Sequence, residues 1–112
     1  MPLPLARSAI IPLSGKRPDI NLIAMTEQDW REQLLQEGFQ NIRTHTDSPD
    51  TVYKEHTHPT TNPHIVLAGH LRLFIDGKTI LLNPGDRYDI LAGVKHSSEI
   101  GADGCTFIIG EK

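Results

Sequence analysis

The chain has 112 residues and a formal net charge of −3, from 11 basic and 14 acidic side chains, a size that suits one domain around a single modest core. A charge this small, spread along the sequence, gives no electrostatic pull toward a phosphate backbone or an anionic membrane, so neither nucleic acid nor membrane is expected as a partner. No apolar run approaches the ~18 residues of a transmembrane span. Ile10-Ile11-Pro12-Leu13 behind Arg7 is too short and proline-broken for a secretory segment, and the lone Cys105 favours a cytoplasmic setting.

Residues 1–24 carry Pro2, Pro4, Pro12 and Pro18 among leucines and isoleucines. Proline removes backbone donors and blocks helix, so an extended arm is expected, with Asn21–Ala24 as a short strand at its end. The remaining 25–112 should form the domain proper. Thr26 is a good helix N-cap, with Asp29 placed to answer it three residues on and Met25 and Trp30 placed for a hydrophobic staple. Trp30, Leu34 and Leu35 predict an apolar stripe along a helix over 26–38, stopped by Gly38. Trp30 is expected to anchor that helix by packing.

From Phe39 the pattern changes to short strands. They are predicted over Phe39–Thr46, Val52–His58, His64–Ala68 and, past a bend that Gly69 allows, Leu71–Ile75, then Lys78–Leu82, Tyr88–Leu91, Lys95–Ile100 and Cys105–Ile109. Turn signals separate them: Ser48-Pro49-Asp50, Asp76-Gly77 (a type I′ hairpin signal), Asn83-Pro84-Gly85, Ala92-Gly93-Val94 and Gly101–Gly104. Evenly spaced short strands after one helix predict an all-β barrel or sandwich.

The chemistry concentrates in His56 and His58. On a strand, residues i and i+2 point to one face with Cα atoms about 6.6 Å apart, and two imidazoles leaning together can close on one metal ion through bonds of about 2.1 Å. His45 and His70 read as solvated strand residues, Cys105 as an inert core thiol, and Asp86 and Arg87 as turn and edge residues. Tyr53 and Tyr88 are candidate hydroxyl donors that the sequence cannot place.

His56-Thr57-His58, Gly69, Gly85, Gly93 and His96, with their spacings, resemble the two motifs of the cupin superfamily over roughly residues 39–110. The resemblance implies a small double-stranded β-helix barrel, jelly-roll-like, with a divalent transition metal (Fe, Mn, Ni, Cu or Zn) between its sheets. It implies no single reaction, since the fold hosts many. The sequence departs from the motif where cupins usually place a glutamate ligand: Asn62 stands there, and Leu91 replaces a usual proline. His64, two residues past Asn62, is the favoured fourth ligand beside His56, His58 and His96, with Asn62 as the alternative. Such a donor set carries no ligand charge, leaving the metal its full charge.

The expected function is a metal-dependent, dioxygenase-like enzyme acting on a small molecule. The supply of acid and base groups is thin, since Glu55 and Glu99 should face away from His56 and His96. A non-catalytic module binding a small molecule or metal is the alternative, and a metal that merely staples the barrel is a third reading. The apolar arm and open sheet faces predict a homodimer.

Overall fold

The computed structural model describes residues 24–112; the expected arm and the strand at Asn21–Ala24 lie outside the described residues but for Ala24. Helix α1 spans Glu27–Gln36 and is followed by strands β1 (Gln40–Asp47), β2 (Val52–His56), β3 (Asn62–Ile75), β4 (Lys78–Leu82), β5 (Arg87–Ile90) and β6 (His96–Glu111).

The helix starts as its sequence dictates. Thr26 Oγ1 accepts from the Asp29 amide at 3.0 Å, and the Asp29 carboxylate accepts from the Thr26 amide at 2.9 Å, a reciprocal capping box worth about 1 kcal/mol. Gly38, at φ +93°, turns the chain out of the helix. Leu34 is fully buried, a burial that contributes about 2 kcal/mol, and packs with Trp30, Phe39, Ile42, Ile65, Leu67 and Ile108. Leu35, expected on the same stripe, is 63% exposed. A step of 100° past Leu34 turns it off the narrow buried face.

Two long strands replace four predicted short ones. Gly69 bends β3 and Gly101–Gly104 bend β6 without ending either, so the two run side by side from His64↔Ile109 to Ile75↔His96, with register shifts at Val66/Ala68 and Gly69/Leu71. The first half of β3 takes β5 on its other edge and the second half takes β4. Along β6, residues 96–99 pair with β2 and residues 105–111 with β1. The result is two antiparallel layers, β1-β6-β3-β5 and β2-β6-β3-β4, that share two bent strands.

Their inner faces close on one cluster: Val66, Leu71, Leu73, Ile75, Leu82, Ile90, Ile100, Cys105 and Phe107. Among the described residues this is the expected all-β cupin barrel, preceded by one helix. The bend is possible because Gly69 (φ +77°) brings its Cα hard against the Gly104 carbonyl: a Cβ there would sit 2.0 Å from that oxygen. The Asp76-Gly77 hairpin forms as predicted, both residues at positive φ.

The helix is held on the outer face of the first layer by charge as well as apolar burial. The Arg87 guanidinium donates to both Glu37 carboxylate oxygens (2.9 and 2.7 Å) and to both oxygens of Asp89 (2.8 and 3.0 Å). Arg87 and Lys112 also flank the Phe39 ring, at 5.8 and 4.6 Å from its centroid. Arg87 is therefore a clamp between sheet and helix rather than a turn residue.

Candidate metal centre

His56 and His96 face each other across the β2–β6 ladder, and residues opposite in such a ladder share a face. That face is the inner one, because His96 is also opposite Ile75 of the barrel cluster. His58 arrives differently from expectation: β2 ends at His56, so His58 sits in the connection to β3. Backbone bonds fix it there. Its carbonyl accepts from the Gly93 amide at 2.8 Å, and Thr61 exchanges amide bonds with Lys112 at 2.8 and 3.0 Å.

The ligand atoms of His56, His58 and His96 lie within 4.8 Å of one another, and the ring centroids are 4.3–5.1 Å apart. His56 Nδ1 donates to the Lys54 carbonyl (2.5 Å) and His96 Nδ1 to the Val94 carbonyl (3.0 Å). A carbonyl only accepts, so each ring must carry its proton on Nδ1 and present a bare Nε2, the tautomer a metal ligand needs. Burial lowers the pKa of His58, and the adjacent His56 and His96 rings lower it further, which favours the neutral imidazole that metals bind. Three imidazoles, two oriented by backbone carbonyls, fit a divalent transition metal and leave room for further ligands.

His64 and Asn62 both lie on the first half of β3, at an inward-facing register. His64 is not among the side chains whose ligand atoms all fall within 4.8 Å. Its Nδ1 donates to the Asn62 carbonyl at 3.1 Å, and its ring stacks on Phe107 at 5.9 Å. Burial pushes its pKa down to about 4, with the nearby His96 and His58 adding to the shift. Asn62 donates its amide to the Gly110 carbonyl (2.8 Å) and to Thr60 (3.2 Å), which leaves Oδ1 buried without a partner. The expected continuous register from His58 to His64 is broken, because residues 57–61 leave the strand between them.

The other candidates sort as follows. His70 is exposed and bonded to Asn83 at 2.9 Å. Cys105 is buried, and burial together with the Asp47 charge pushes its pKa up to about 11. Tyr88 packs against the barrel cluster. Glu99 is ion-paired with Arg72 at 3.1 Å, away from His96 as expected. Tyr53 and His45, by contrast, both bond to Asp47. The sequence reading missed that link, although His45 and Asp47 at i and i+2 on a strand share a face.

Among the described residues no helix is long and apolar enough to cross a membrane. Comparison with curated proteins gives no match. Among solved structures, the chain is similar to a cupin-2 domain containing protein from Shewanella frigidimarina (25% identity over 62% of this chain and 67% of that one, TM-score 0.55). It also resembles an RmlC-like cupin from the same organism (18%, 62% and 62%, 0.57). A third likeness is to the DMSP lyase DddQ from Ruegeria pomeroyi (19%, 63% and 36%, 0.59). The matches thus span from about a third to two thirds of those proteins' length. The family model for the AraC-like ligand binding domain matches residues 39–109, which takes in β1 to β6 nearly whole and all three converging histidines: the chain is a cupin-type member of the AraC-like ligand-binding-domain family.

Proposed function

We propose that this protein is a metal-dependent, dioxygenase-type enzyme acting on a small molecule, with His56, His58 and His96 as the metal ligands. The observation that carries the reading is the convergence of those three imidazoles, two of them turned by backbone carbonyls so that Nε2 is bare. A redox-active divalent ion such as iron, manganese, nickel or copper would supply Lewis acidity and O₂ chemistry there; zinc would supply the Lewis acidity alone. His64 or Asn62 completes the site from β3, the former through Nε2 and the latter through its unpartnered Oδ1.

The chain's own residues do the rest. Phe107 and the apolar cluster keep water from one side of the site. Glu99 is turned outward onto Arg72, which removes that carboxylate as an acid or base beside His96 and favours chemistry carried by the metal. A small barrel admits a small substrate only. We further propose that the protein works in the cytoplasm as a homodimer.

The test is metal analysis of untagged protein, intact and as His56→Ala and His96→Ala, followed by turnover with and without O₂. Stoichiometric metal lost in both variants supports the site, and equal rates without O₂ refute the dioxygenase reading. The alternative, a non-catalytic module that binds a small ligand or metal, is favoured by the family to which the chain belongs, whose model describes a ligand binding domain. Stoichiometric metal with ligand binding but no turnover would select it.

A further inference from the structure

Strands β1 and β2, each at one edge of its layer, are bridged by a second polar cluster. Tyr53 Oη donates to Asp47 Oδ2 at 2.7 Å, and His45 Nε2 donates to Asp47 Oδ1 at 2.9 Å. All three side chains belong to the inner face. Tyr53 is opposite Ser98, which is opposite Leu73, while His45 is opposite Phe107 and Asp47 opposite Cys105; Leu73, Phe107 and Cys105 are members of the barrel cluster. The cluster also reaches His64, the candidate fourth ligand, through one ring. His45 meets the edge of Phe107 at 5.6 Å, and His64 stacks on Phe107 at 5.9 Å.

The hydrogen-bond directions decide what this wall can read. With its O–H committed to Asp47, Tyr53 offers a free lone pair. With Nε2–H committed to the same carboxylate, the His45 ring turns its Nδ1 edge away from Asp47. Asp47 is shielded, its side chain 10% exposed, whereas the His45 side chain is 49% and Tyr53 36% exposed. The Tyr53 pKa is pushed up to about 12 by burial and by Asp47, so its proton stays in place at neutral pH. The wall therefore presents the Tyr53 lone pair beside the Asp47 negative charge. It suits a hydrogen-bond donor, best a cationic one, and disfavours an anion.

We infer that Tyr53, Asp47 and His45 form a ligand-reading subsite beside the three-histidine centre, taking the ammonium or other donor-bearing end of a small molecule whose carboxylate lies toward the histidines. The carboxylate half rests on the metal-centre reading above; the donor half rests on the Asp47 geometry alone.

Two probe series separate them: straight-chain ω-amino carboxylates from glycine to 5-aminopentanoate, against unsubstituted carboxylates of the same lengths, with n-butylammonium as a carboxylate-free probe. Binding is followed by NMR shifts of Tyr53 and His45 in zinc-loaded and zinc-free protein. The expected result is a preference of about tenfold for the amino compound at one chain length. Asp47→Asn and Tyr53→Phe should reduce it to less than about twofold with carboxylate affinity kept. Tyr53→Phe removes one oxygen atom, so a native amide spectrum serves as its folding control. If the histidines hold no zinc, the carboxylate contribution vanishes while n-butylammonium still shifts Tyr53 and His45 in wild type and not in Asp47→Asn. No preference at any length, or a preference unchanged in both variants, overturns the subsite.

Discussion

Replacing Gly69 by alanine tests the geometry on which the whole barrel depends. At φ +77° an alanine already carries the left-handed backbone penalty, about 1–2 kcal/mol. The larger effect is steric: the new Cβ would stand 2.0 Å from the Gly104 carbonyl oxygen, 2.9 Å from its carbon and 3.0 Å from Cys105 Cα. These are backbone atoms of β6, so no side-chain rotation relieves the overlap, and β3 and β6 must separate at the point where both bend. Gly77 supplies the control, since at φ +72° nothing lies within 4 Å of its would-be Cβ. Gly77→Ala should thus cost only the backbone term, about 1–2 kcal/mol. Gly69→Ala should exceed it by at least about 2 kcal/mol, in the range of overpacked cores. Urea unfolding followed by the fluorescence of Trp30 reads both, as a shift in midpoint at constant slope. Equal losses within about 0.5 kcal/mol would refute the close approach of β3 and β6 at Gly69 and Gly104.

Arg87→Met should destabilise the fold by about 1–2 kcal/mol, measured by denaturation: it strips the partner from Glu37 and Asp89, and the partial exposure of all three side chains limits the loss. Adding salt should narrow the gap between variant and wild type. Cys105 should resist iodoacetamide in native protein at pH 8 and react on unfolding, because its raised pKa and burial leave little accessible thiolate. The sign for stability follows from the same shift: the unfolded thiol ionises from about 9 and the folded one only at about 11, so stability falls as pH rises across that window, and Cys105→Ser should flatten the fall. Metal at 100 times its dissociation constant should raise unfolding free energy by about 2.7 kcal/mol in wild type, with no gain in His56→Ala; a calorimetric scan decides it.

What the sequence determined by itself is what local physics controls. Thr26 and Asp29 cap their helix whatever packs on it, Asp76-Gly77 closes a hairpin through its own dihedral preferences, and alternation in Leu71, Leu73 and Ile75 marks an inward face. The His56, His58 and His96 grouping was legible as well, because a resemblance in spacing carries long-range pairing that no local rule contains. Tertiary structure decided the rest. Gly69 was legible as a bend, but Gly101–Gly104 looked like a turn between two strands, and only the pairing of β6 along β3 shows that it bends a strand that continues. His58 reaches the centre from a loop held by Gly93 and Lys112, not from strand alternation. Arg87 read as a turn and edge residue, and Asp47 carried no signal at all, until strands and helix distant in sequence brought Glu37, Tyr53 and other partners to them. Hydrogen bonds between side chains on different elements depend on positions set by the assembled barrel, and short-range sequence patterns do not encode those positions.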